Sequence, residues 1–375
     1  MAVQLLIARQ LYLFLARRSS RGAALTFALL YVVALLLGIS LGFTHLRLVR
    51  YVPRPVSAIM GGLTHLWSYT SSAAYVVHAV FRFLSRRLPS ARFDPARRRL
   101  LNIAGGAAAA VPFAVVGYGA LVERTRFRVK EVDVPLPELP RDLDGLRLVQ
   151  LSDIHLSMFL SEQEFARAID EANQLRAHLM LVTGDLISAR GDPLDACLRQ
   201  IARLRADAGI FGCLGNHEAY AAAQNYATGQ GRRLGIRFLR QEAAGLRFGS
   251  AVLNLAGVDH QRMSPRHPEA YLPHAERLVA PGAVNVLLSH NPDVIPVAAQ
   301  KGFHLTLSGH THGGQVTVEI MDQSINPARF ITPYVYGLFQ EGNHAAYVTR
   351  GIGTIGIPAR IGAPPEIALL RLRRV

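Results

Sequence analysis

Cysteine is scarce in this chain of 375 residues, because only Cys197 and Cys213 are present. Two cysteines cannot form a disulfide framework, which excludes the class of small proteins held together by several disulfides. Cys213 lies inside an apolar run, and this position predicts a buried thiol.

Acidic residues are the second shortage: Asp and Glu number 26 against 41 Lys and Arg, for a net charge of +15. Residues 1–130 contain 18 basic residues and two acidic ones, whereas the remainder contains 23 basic and 24 acidic residues. A near-neutral remainder lacks the basic surface needed to bind a nucleic-acid backbone. Basic residues beside apolar segments suit a membrane surface. The sequence therefore predicts a membrane partner and no nucleic acid.

Three long segments lack Asp, Glu, Lys and Arg altogether: residues 22–46, 56–81 and 100–122. About 20 apolar residues are enough to cross a bilayer, so each segment is predicted to span, although the second also contains several Ser, Thr and His residues. We expect a helical transmembrane region over residues 1–123. A proline-rich linker over 124–145 follows, and then a globular domain over 146–375.

The arginines that flank these segments predict a topology. They are more numerous before the first span and between the second and third than between the first and second. The positive-inside rule then predicts a multi-pass protein of the cytoplasmic membrane, with the globular domain on the periplasmic side. Basic residues at 124–130 argue in the opposite direction. Arg97 and Arg98, followed by Leu100 and Leu101, resemble a twin-arginine export signal; an ordinary basic flank is the alternative.

After residue 145, strand-like and helix-like patterns alternate. Ser161 followed by Glu164 marks a capping box at a helix start, and alternation at this pace predicts an α/β domain with parallel strands. The predicted helices are Ser161–Gln174 and Asp192–Arg205, and the predicted strands are Leu146–Leu151, His178–Val182, Gly209–Leu214, Ala251–Ala256, Val284–Leu288, Phe303–Leu307 and Ala345–Val348.

Five of these strands end in polar clusters, and in open α/β sheets sites form at the carboxyl ends of strands. The clusters supply carboxylate, amide and imidazole groups but no thiolate, a mixture that suits Mn, Fe or Zn. Seven such side chains exceed the needs of one tetrahedral site, so two metals sharing a carboxylate are predicted. The clusters are Ser152-Asp153-Ile154-His155, Thr183-Gly184-Asp185, Gly215-Asn216-His217-Glu218, Ser289-His290-Asn291 and Gly309-His310-Thr311-His312.

The order of these blocks resembles the calcineurin-like metallophosphoesterase superfamily over about residues 145 to 375. The resemblance implies a sandwich of two mixed β-sheets flanked by helices, with a dinuclear centre. It also implies the ligands: Asp153, His155 and His312 for one metal, Asn216, His290 and His310 for the other, and Asp185 as the bridge.

Gln315 and the tail through Arg350–Thr354 and Gly362–Glu366 are similar to membrane-anchored or twin-arginine-exported bacterial phosphodiesterases. Some relatives of these enzymes cleave the pyrophosphate of UDP-2,3-diacylglucosamine. We therefore expect a membrane-anchored hydrolase of a phosphodiester or pyrophosphate, possessing two divalent metals with Mn favoured, whose substrate is lipid-linked or belongs to the envelope. A metal-bridging hydroxide would attack the phosphorus.

His217 is expected to protonate the leaving oxygen or to hold the phosphoryl group. Many superfamily members carry an Asp where this chain has Ser188, so another group must orient His217, and Asp192 is the nearest candidate in sequence. Glu218 is expected to shape its loop. Arg350 and Arg360 either contact substrate phosphate or, the favoured interpretation, lie exposed on the surface.

Five further histidines match no motif and are expected on the surface or in the core: His260, His267, His274, His304 and His344. Two alternative functions stay open. One is a phosphomonoesterase or nucleotidase, or a nuclease, which the neutral domain disfavours. The other is a membrane receptor with a vestigial metal site.

Overall fold

The computed structural model describes residues 1–42, 51–87, 95–261, 270–320 and 323–375. The chain forms two compact units. The first comprises Met1–Val122 with Gly356–Ala359, and the second comprises Glu123–Ile355 with Arg360–Val375.

The first unit is helical. Two stretches, Arg21–Leu41 and Pro95–Thr125, are long and apolar enough to cross a membrane. They coincide with the first and third predicted spans, although residues 43–46 lie outside the described part of the chain. The second predicted span forms a helix of 34 residues, which is long enough to cross a membrane but less apolar than these two stretches. The helices are α1 (Ala2–Leu15), α2 (Arg21–Gly42), α3 (Arg54–Arg87) and α4 (Pro95–Leu121).

The polar residues of α3 form hydrogen bonds inside this unit. The side-chain amide of Gln4 donates to the carbonyl of Ser68 at 2.7 Å and to the hydroxyl of Ser72 at 2.8 Å. The hydroxyl of Tyr31 in turn donates to Gln4 Oε1 at 2.5 Å. Ser and Thr hydroxyls bonded between helices are a recurring means of packing helices in lipid. Satisfying these groups internally is why an apolar segment can carry so many of them.

The second unit contains two six-stranded mixed sheets. The first has the order β1-β14-β2-β3-β4-β5 and the second β12-β13-β9-β8-β7-β6, and β10 (Val318–Ile320) and β11 (Gln323–Ile325) form a separate two-stranded sheet. The first sheet consists of β1 (Arg128–Leu136), β2 (Arg147–Leu151), β3 (Leu179–Thr183), β4 (Ile210–Cys213), β5 (Ile236–Phe238) and β14 (Glu366–Arg374). The second consists of β6 (Glu242–Phe248), β7 (Ala251–Gly257), β8 (Val284–Leu288), β9 (Leu305–Ser308), β12 (Gly337–Glu341) and β13 (His344–Val348).

Alternation of side chains along the strands builds a layered core. Leu148 and Leu179 belong to the apolar cluster shared by the two sheets, whereas their neighbours Val149 and Met180 belong to the cluster on the outer face of the first sheet. This is the period of two that a strand imposes. The outer clusters include residues of α5 (Glu162–Gln174), α6 (Leu194–Ile201), α8 (Gln224–Arg233) and α9 (Ile295–Gln300). Two mixed sheets flanked by helices confirm the predicted fold class.

Helix α5 has both bonds of the predicted capping box, formed by Ser161 and Glu164. Helix α6 is shorter than predicted, covering Leu194–Ile201 instead of Asp192–Arg205. Its end is fixed by Asn173, whose side chain donates to the carbonyl of Arg203 and accepts from the N–H of Arg205. Those bonds replace the ones that would continue the helix. Both cysteines are buried, as predicted for Cys213.

The predicted linker requires a correction, because residues 124–145 contain a strand of the first sheet. Strand β1 pairs in parallel with β14 along nine residues, from Arg128↔Glu366 to Leu136↔Arg374. Its β-branched Val129, Val132 and Val134 favour a strand. Pro135 is compatible with it because β1 is the edge of the sheet, where a missing N–H donor is tolerated. Pro135, Pro137 and Pro140 made this stretch resemble a connector, although part of it pairs with β14.

Candidate metal centre

The predicted ligands lie at the carboxyl ends of β2, β3, β4, β8 and β9. Asp153, His155 and His290 are fully buried there. Five of the predicted ligands have a left-handed backbone: φ is 51° at Asp153, 48° at His155, 53° at Asp185, 74° at His310 and 53° at His312. Non-glycine residues rarely adopt this conformation, and each such residue costs about 1–3 kcal/mol. Strain concentrated on one cluster is typical of a functional site.

The first candidate group consists of Asp153, His155 and His312. The Nε2 atom of His312 lies 3.2 Å from Nε2 of His155 and 3.3 Å from Oδ1 of Asp153. Two ring nitrogens and a carboxylate oxygen therefore face a common point.

The second group consists of Asp185, His290 and His310. The Nε2 atom of His290 lies 3.0 Å from Oδ2 of Asp185 and 3.2 Å from Nδ1 of His310. The same Oδ2 atom lies 3.5 Å from Nε2 of His155, a member of the first group. Asp185 thus lies between the two groups, in the position expected of a shared carboxylate.

Two glycines of the motifs leave room for these carboxylates. A Cβ atom on Gly215 would overlap the carboxylate of Asp185, and a Cβ atom on Gly309 would overlap the side chains of Ser152 and Asp153. Glycine is needed at both positions because the backbone approaches the ligands too closely for any side chain.

Burial determines the charge of the histidines. It lowers the pKa of His155 and of His310 to about 3, and it holds the pKa of His312 well below its ordinary value. Neutral imidazoles keep a lone pair available for a metal. Although burial opposes the charged form of His290, the carboxylate of Asp185 raises the pKa of this histidine to about 10. Without a metal, Asp185 therefore favours the charged form of His290, with both ring nitrogens protonated.

The donor set fits divalent cations. The Nε2 atoms of His155 and His312 lie 3.2 Å apart on neutral rings, and a cation between them would bind their lone pairs in place of the hydrogen bond between the two rings. Within the described residues, Oδ1 of Asn216 is buried without a hydrogen-bond partner, and such an acceptor is costly unless a ligand completes it. Asn216 is the first residue of α7 (Asn216–Tyr220). Nitrogen and oxygen donors together suit Mn, Fe or Zn.

His217 is oriented by a main-chain atom. Its Nδ1 atom donates to the carbonyl oxygen of Ser188 at 2.5 Å, and its backbone N–H donates to Oδ1 of Asp185 at 2.9 Å. Asp192 accepts from the N–H groups of Ser188 and Ala189, at 3.0 and 2.8 Å. Asp192 therefore shapes the turn that presents the Ser188 carbonyl to His217. The sequence had suggested Asp192 itself as the group that orients His217.

Glu218 shapes its loop, as predicted. Its buried carboxylate accepts hydrogen bonds from the backbone N–H groups of Asp185, Leu186, Ile187 and Gly215, at distances of 2.8 to 3.3 Å. Burial raises the pKa of Glu218 to about 7, while the N–H donors act in the opposite direction. One side chain thus ties the turn after β3 to the turn after β4.

Two rings that the sequence analysis did not place at the site extend the histidine cluster outward. The ring of His260 lies 6.1 Å from that of His310, and the ring of Tyr220 lies 6.4 Å from His260 and 5.8 Å from His217. His260 follows β7, so a polar residue after that strand was the available signal. Tyr220 is four residues after Asn216, one turn along α7.

The remaining unassigned histidines behave as expected where they are described. His274 is exposed, His304 accepts from the N–H of Asn285 in the second sheet, and His344 bonds to the carbonyl of Phe303 just before β9. His267 lies outside the described residues.

The two arginines of the tail differ from each other. The guanidinium of Arg350 lies over the ring of Tyr336, 4.1 Å from its centroid, and its Nε atom is 4.0 Å from Oε2 of Glu366. Contact of Arg350 with substrate stays a prediction. Arg360 contradicts the favoured interpretation of an exposed surface arginine, because it is fully buried. Burial lowers the pKa of Arg360 to about 10, which still leaves it charged at neutral pH.

Comparisons with known proteins match part of this chain. A family model described as calcineurin-like phosphoesterase matches residues 146–314. The chain is similar to a "transmembrane protein with metallophosphoesterase domain" of Danio rerio, with 29% identity over 268 residues, 68% of this chain and 60% of that protein. It is also similar to the uncharacterized metallophosphoesterase YkuE of Bacillus subtilis, with 28% identity over 262 residues, 68% of this chain and 89% of that protein.

Among solved structures, the NAD nucleotidase of Haemophilus influenzae aligns with a TM-score of 0.37 and 14% identity, over 56% of this chain and 45% of that one. The chain spans about 60% of the length of the Danio rerio relative.

Proposed function

We propose that the chain is a membrane-anchored hydrolase of phosphodiester or pyrophosphate bonds with a dinuclear metal centre, and the match of residues 146–314 to the calcineurin-like phosphoesterase model and the similarity to a transmembrane protein with a metallophosphoesterase domain support the proposal. The observation that carries the proposal is the position of Asp185 between two histidine–carboxylate groups. Asp153, His155 and His312 would hold one divalent cation. Asn216, His290 and His310 would hold the other, with Asp185 shared. We favour Mn and accept Fe or Zn.

Divalent cations bound here would lower the pKa of water and neutralise charge on a phosphoryl group. The protein supplies the geometry of that chemistry. The ligands with a left-handed backbone are fixed before substrate arrives. Glu218 bonds the turns after β3 and β4, and the glycines of the motifs leave room for the carboxylates. Preorganised charge of this kind costs little reorganisation during the reaction.

We assign proton transfer to His217. The Ser188 carbonyl accepts a hydrogen bond from Nδ1–H of His217, which leaves Nε2 as the nitrogen that can exchange a proton with substrate. That atom lies 4.0 Å from Oδ2 of Asp185, on the side of the metal ligands. His217 can therefore protonate the leaving oxygen, or hold a phosphoryl oxygen through Nε2–H.

The second substituent of a diester needs a surface, and Tyr220 supplies one beside His217. This side chain is 66% exposed although it is aromatic. An exposed aromatic ring next to the proposed acid supports a diester or pyrophosphate over a small monoester, because a monoester lacks the second substituent that the ring could contact.

We further propose that the substrate is lipid-linked or belongs to the envelope, with UDP-2,3-diacylglucosamine as the example to test. Two helices with the length and apolarity of membrane spans support anchoring. We place the catalytic domain on the extracytoplasmic side of the cytoplasmic membrane, from the distribution of flanking arginines.

The test uses the full chain in detergent, stripped of metal and then supplied with Mn²⁺. Its substrates are a bis-aryl phosphodiester, an aryl phosphomonoester, UDP-diacylglucosamine and DNA, and Asp185→Ala is assayed beside the wild type. We expect metal-dependent cleavage of the diester or the pyrophosphate, which the substitution abolishes. Preference for the monoester would favour a phosphomonoesterase or nucleotidase. Absence of hydrolysis on every substrate would contradict the proposal.

A further inference from the structure

Arg360 is a buried guanidinium surrounded by carbonyl groups. Its Nε and Nη2 atoms donate to the carbonyl of Gly353, and Nη2 also donates to those of Arg350 and Gly351, at 2.9 and 3.2 Å. Its Nη1 atom donates to the carbonyl of Ala363 at 2.9 Å and, more weakly, to that of His312 at 3.4 Å. A buried charge is costly unless such bonds satisfy it. Five carbonyl acceptors around one planar fork therefore indicate a specific structural requirement for arginine.

The segment that Arg360 holds is bonded to the backbone of a predicted metal ligand. The N–H of Ile352 donates to the carbonyl of Ser152 at 2.9 Å, and the N–H of Gly353 donates to the carbonyl of Asp153 at 2.7 Å. Gly351 has φ +68°, and a Cβ atom there would lie 2.6 Å from Cβ of Asp153. The segment 351–353 thus packs directly on Asp153, whose own backbone is left-handed.

Arg360 reaches two of the three residues of the first metal group: His312 directly and Asp153 through segment 351–353. The second group is held by other contacts. Nδ1 of His290 donates to the carbonyl of Thr183 at 2.7 Å, and Glu218 accepts from the N–H of Asp185. The two halves are joined by the N–H of His310, which donates to the carboxylate of Asp153 at 2.9 and 3.0 Å, but the contacts of Arg360 are with the first half.

We propose that Arg360 is a positioning residue that fixes the Asp153/His155/His312 half of the metal centre, and that its loss weakens the metal there before the metal at the other half. The inference rests on the proposed dinuclear centre. It concerns the affinity of one metal and requires no contact between Arg360 and substrate.

The experiment measures Mn²⁺ binding to the full chain in detergent, by calorimetry and by electron paramagnetic resonance. The wild type should bind two Mn²⁺ with a spin-coupled signal. In Arg360→Met we expect one Mn²⁺ at unchanged affinity, a second at least 10-fold weaker, and loss of the coupled signal. Arg360→Lys keeps the charge but loses the fork, and should recover part of the second affinity. Arg203→Met is the control, because that exposed arginine pairs with Asp170 away from the centre.

Gly351→Ala provides an independent perturbation, since its methyl group would press on Asp153 while Arg360 stays in place. It should weaken the same metal, with circular dichroism confirming the fold. If Arg360→Met does not fold, Arg360→Lys and Gly351→Ala decide: a selective loss of one Mn²⁺ supports the inference. Two Mn²⁺ bound with wild-type affinity in the folded variants would overturn it and leave the proposed function intact. A wild type that binds no Mn²⁺ would overturn both.

Discussion

Replacing Glu218 by alanine removes the acceptor of four backbone N–H groups, those of Asp185, Leu186, Ile187 and Gly215. Three of these bonds are 3.0 Å or shorter, and the fourth is 3.3 Å. A buried donor left without a partner costs about 1–3 kcal/mol, so three give a loss of at least about 3 kcal/mol. For a domain of this size, about 1 kcal/mol corresponds to about 2–4 °C in Tm. The expected decrease is therefore about 6–12 °C for unfolding of the second unit.

Calorimetry of the metal-free protein is the suitable assay, because the single tryptophan, Trp67, belongs to the first unit and its fluorescence would report on the wrong part. Glu276→Ala is the matched control, since that exposed carboxylate pairs with Lys301 and an exposed pair contributes about 0–1 kcal/mol. A decrease in Tm for Glu218→Ala no larger than for Glu276→Ala would refute the reasoning that Glu218 holds the two turns together.

Three further predictions concern other parts of the molecule. A soluble domain that starts at Glu123 should fold, whereas one that starts at Leu146 should aggregate because it lacks β1. The missing strand carries the buried residues Val134 and Leu136, and burying each side chain stabilises the fold by about 1.5–3 kcal/mol. Equal solubility of the two domains would contradict this role of β1. His217→Asn should lower kcat about 10²–10⁴-fold with two Mn²⁺ still bound, and metal loss measured by calorimetry would instead make it a ligand. Tyr220→Ala should lower kcat/KM about 10-fold for a bis-aryl diester, because an aromatic contact is lost, and should lower it less for an aryl monoester. Tyr220→Phe should retain the kcat/KM of the wild type. Equal losses on both substrates would contradict a contact with the second substituent.

The sequence was most informative where the chemistry depends on side chains at the ends of strands. Asp153, Asp185 and His290 each follow a largely apolar strand, and parallel strands bring their carboxyl ends to one edge. The convergence of the ligands could therefore be predicted without coordinates. The helix capping box at Ser161 is a similarly local signal, since both of its partners lie within three residues.

Main-chain hydrogen-bond partners and the pairing of distant strands could not be predicted from the sequence in this way. A search for a carboxylate at position 188 could not find the partner of His217, because the acceptor is the carbonyl of Ser188, an atom that every residue possesses. Strand β1 depends on pairing with β14, which lies more than 200 residues later in the chain. Arg360 carries a charge that normally indicates the surface, and only the surrounding carbonyl groups explain its burial.

The most direct test of the central claim is a count of metals bound to Asp185→Asn, a substitution that preserves shape and removes the charge. Calorimetric titration with Mn²⁺ on the full chain, with Asp170→Asn as the control for an exposed aspartate, gives the number. If Asp185 is shared by two cations, the wild type and Asp170→Asn should bind two Mn²⁺, and Asp185→Asn should show weakened binding of both. Two Mn²⁺ bound by Asp185→Asn with wild-type affinity would contradict the shared dinuclear centre.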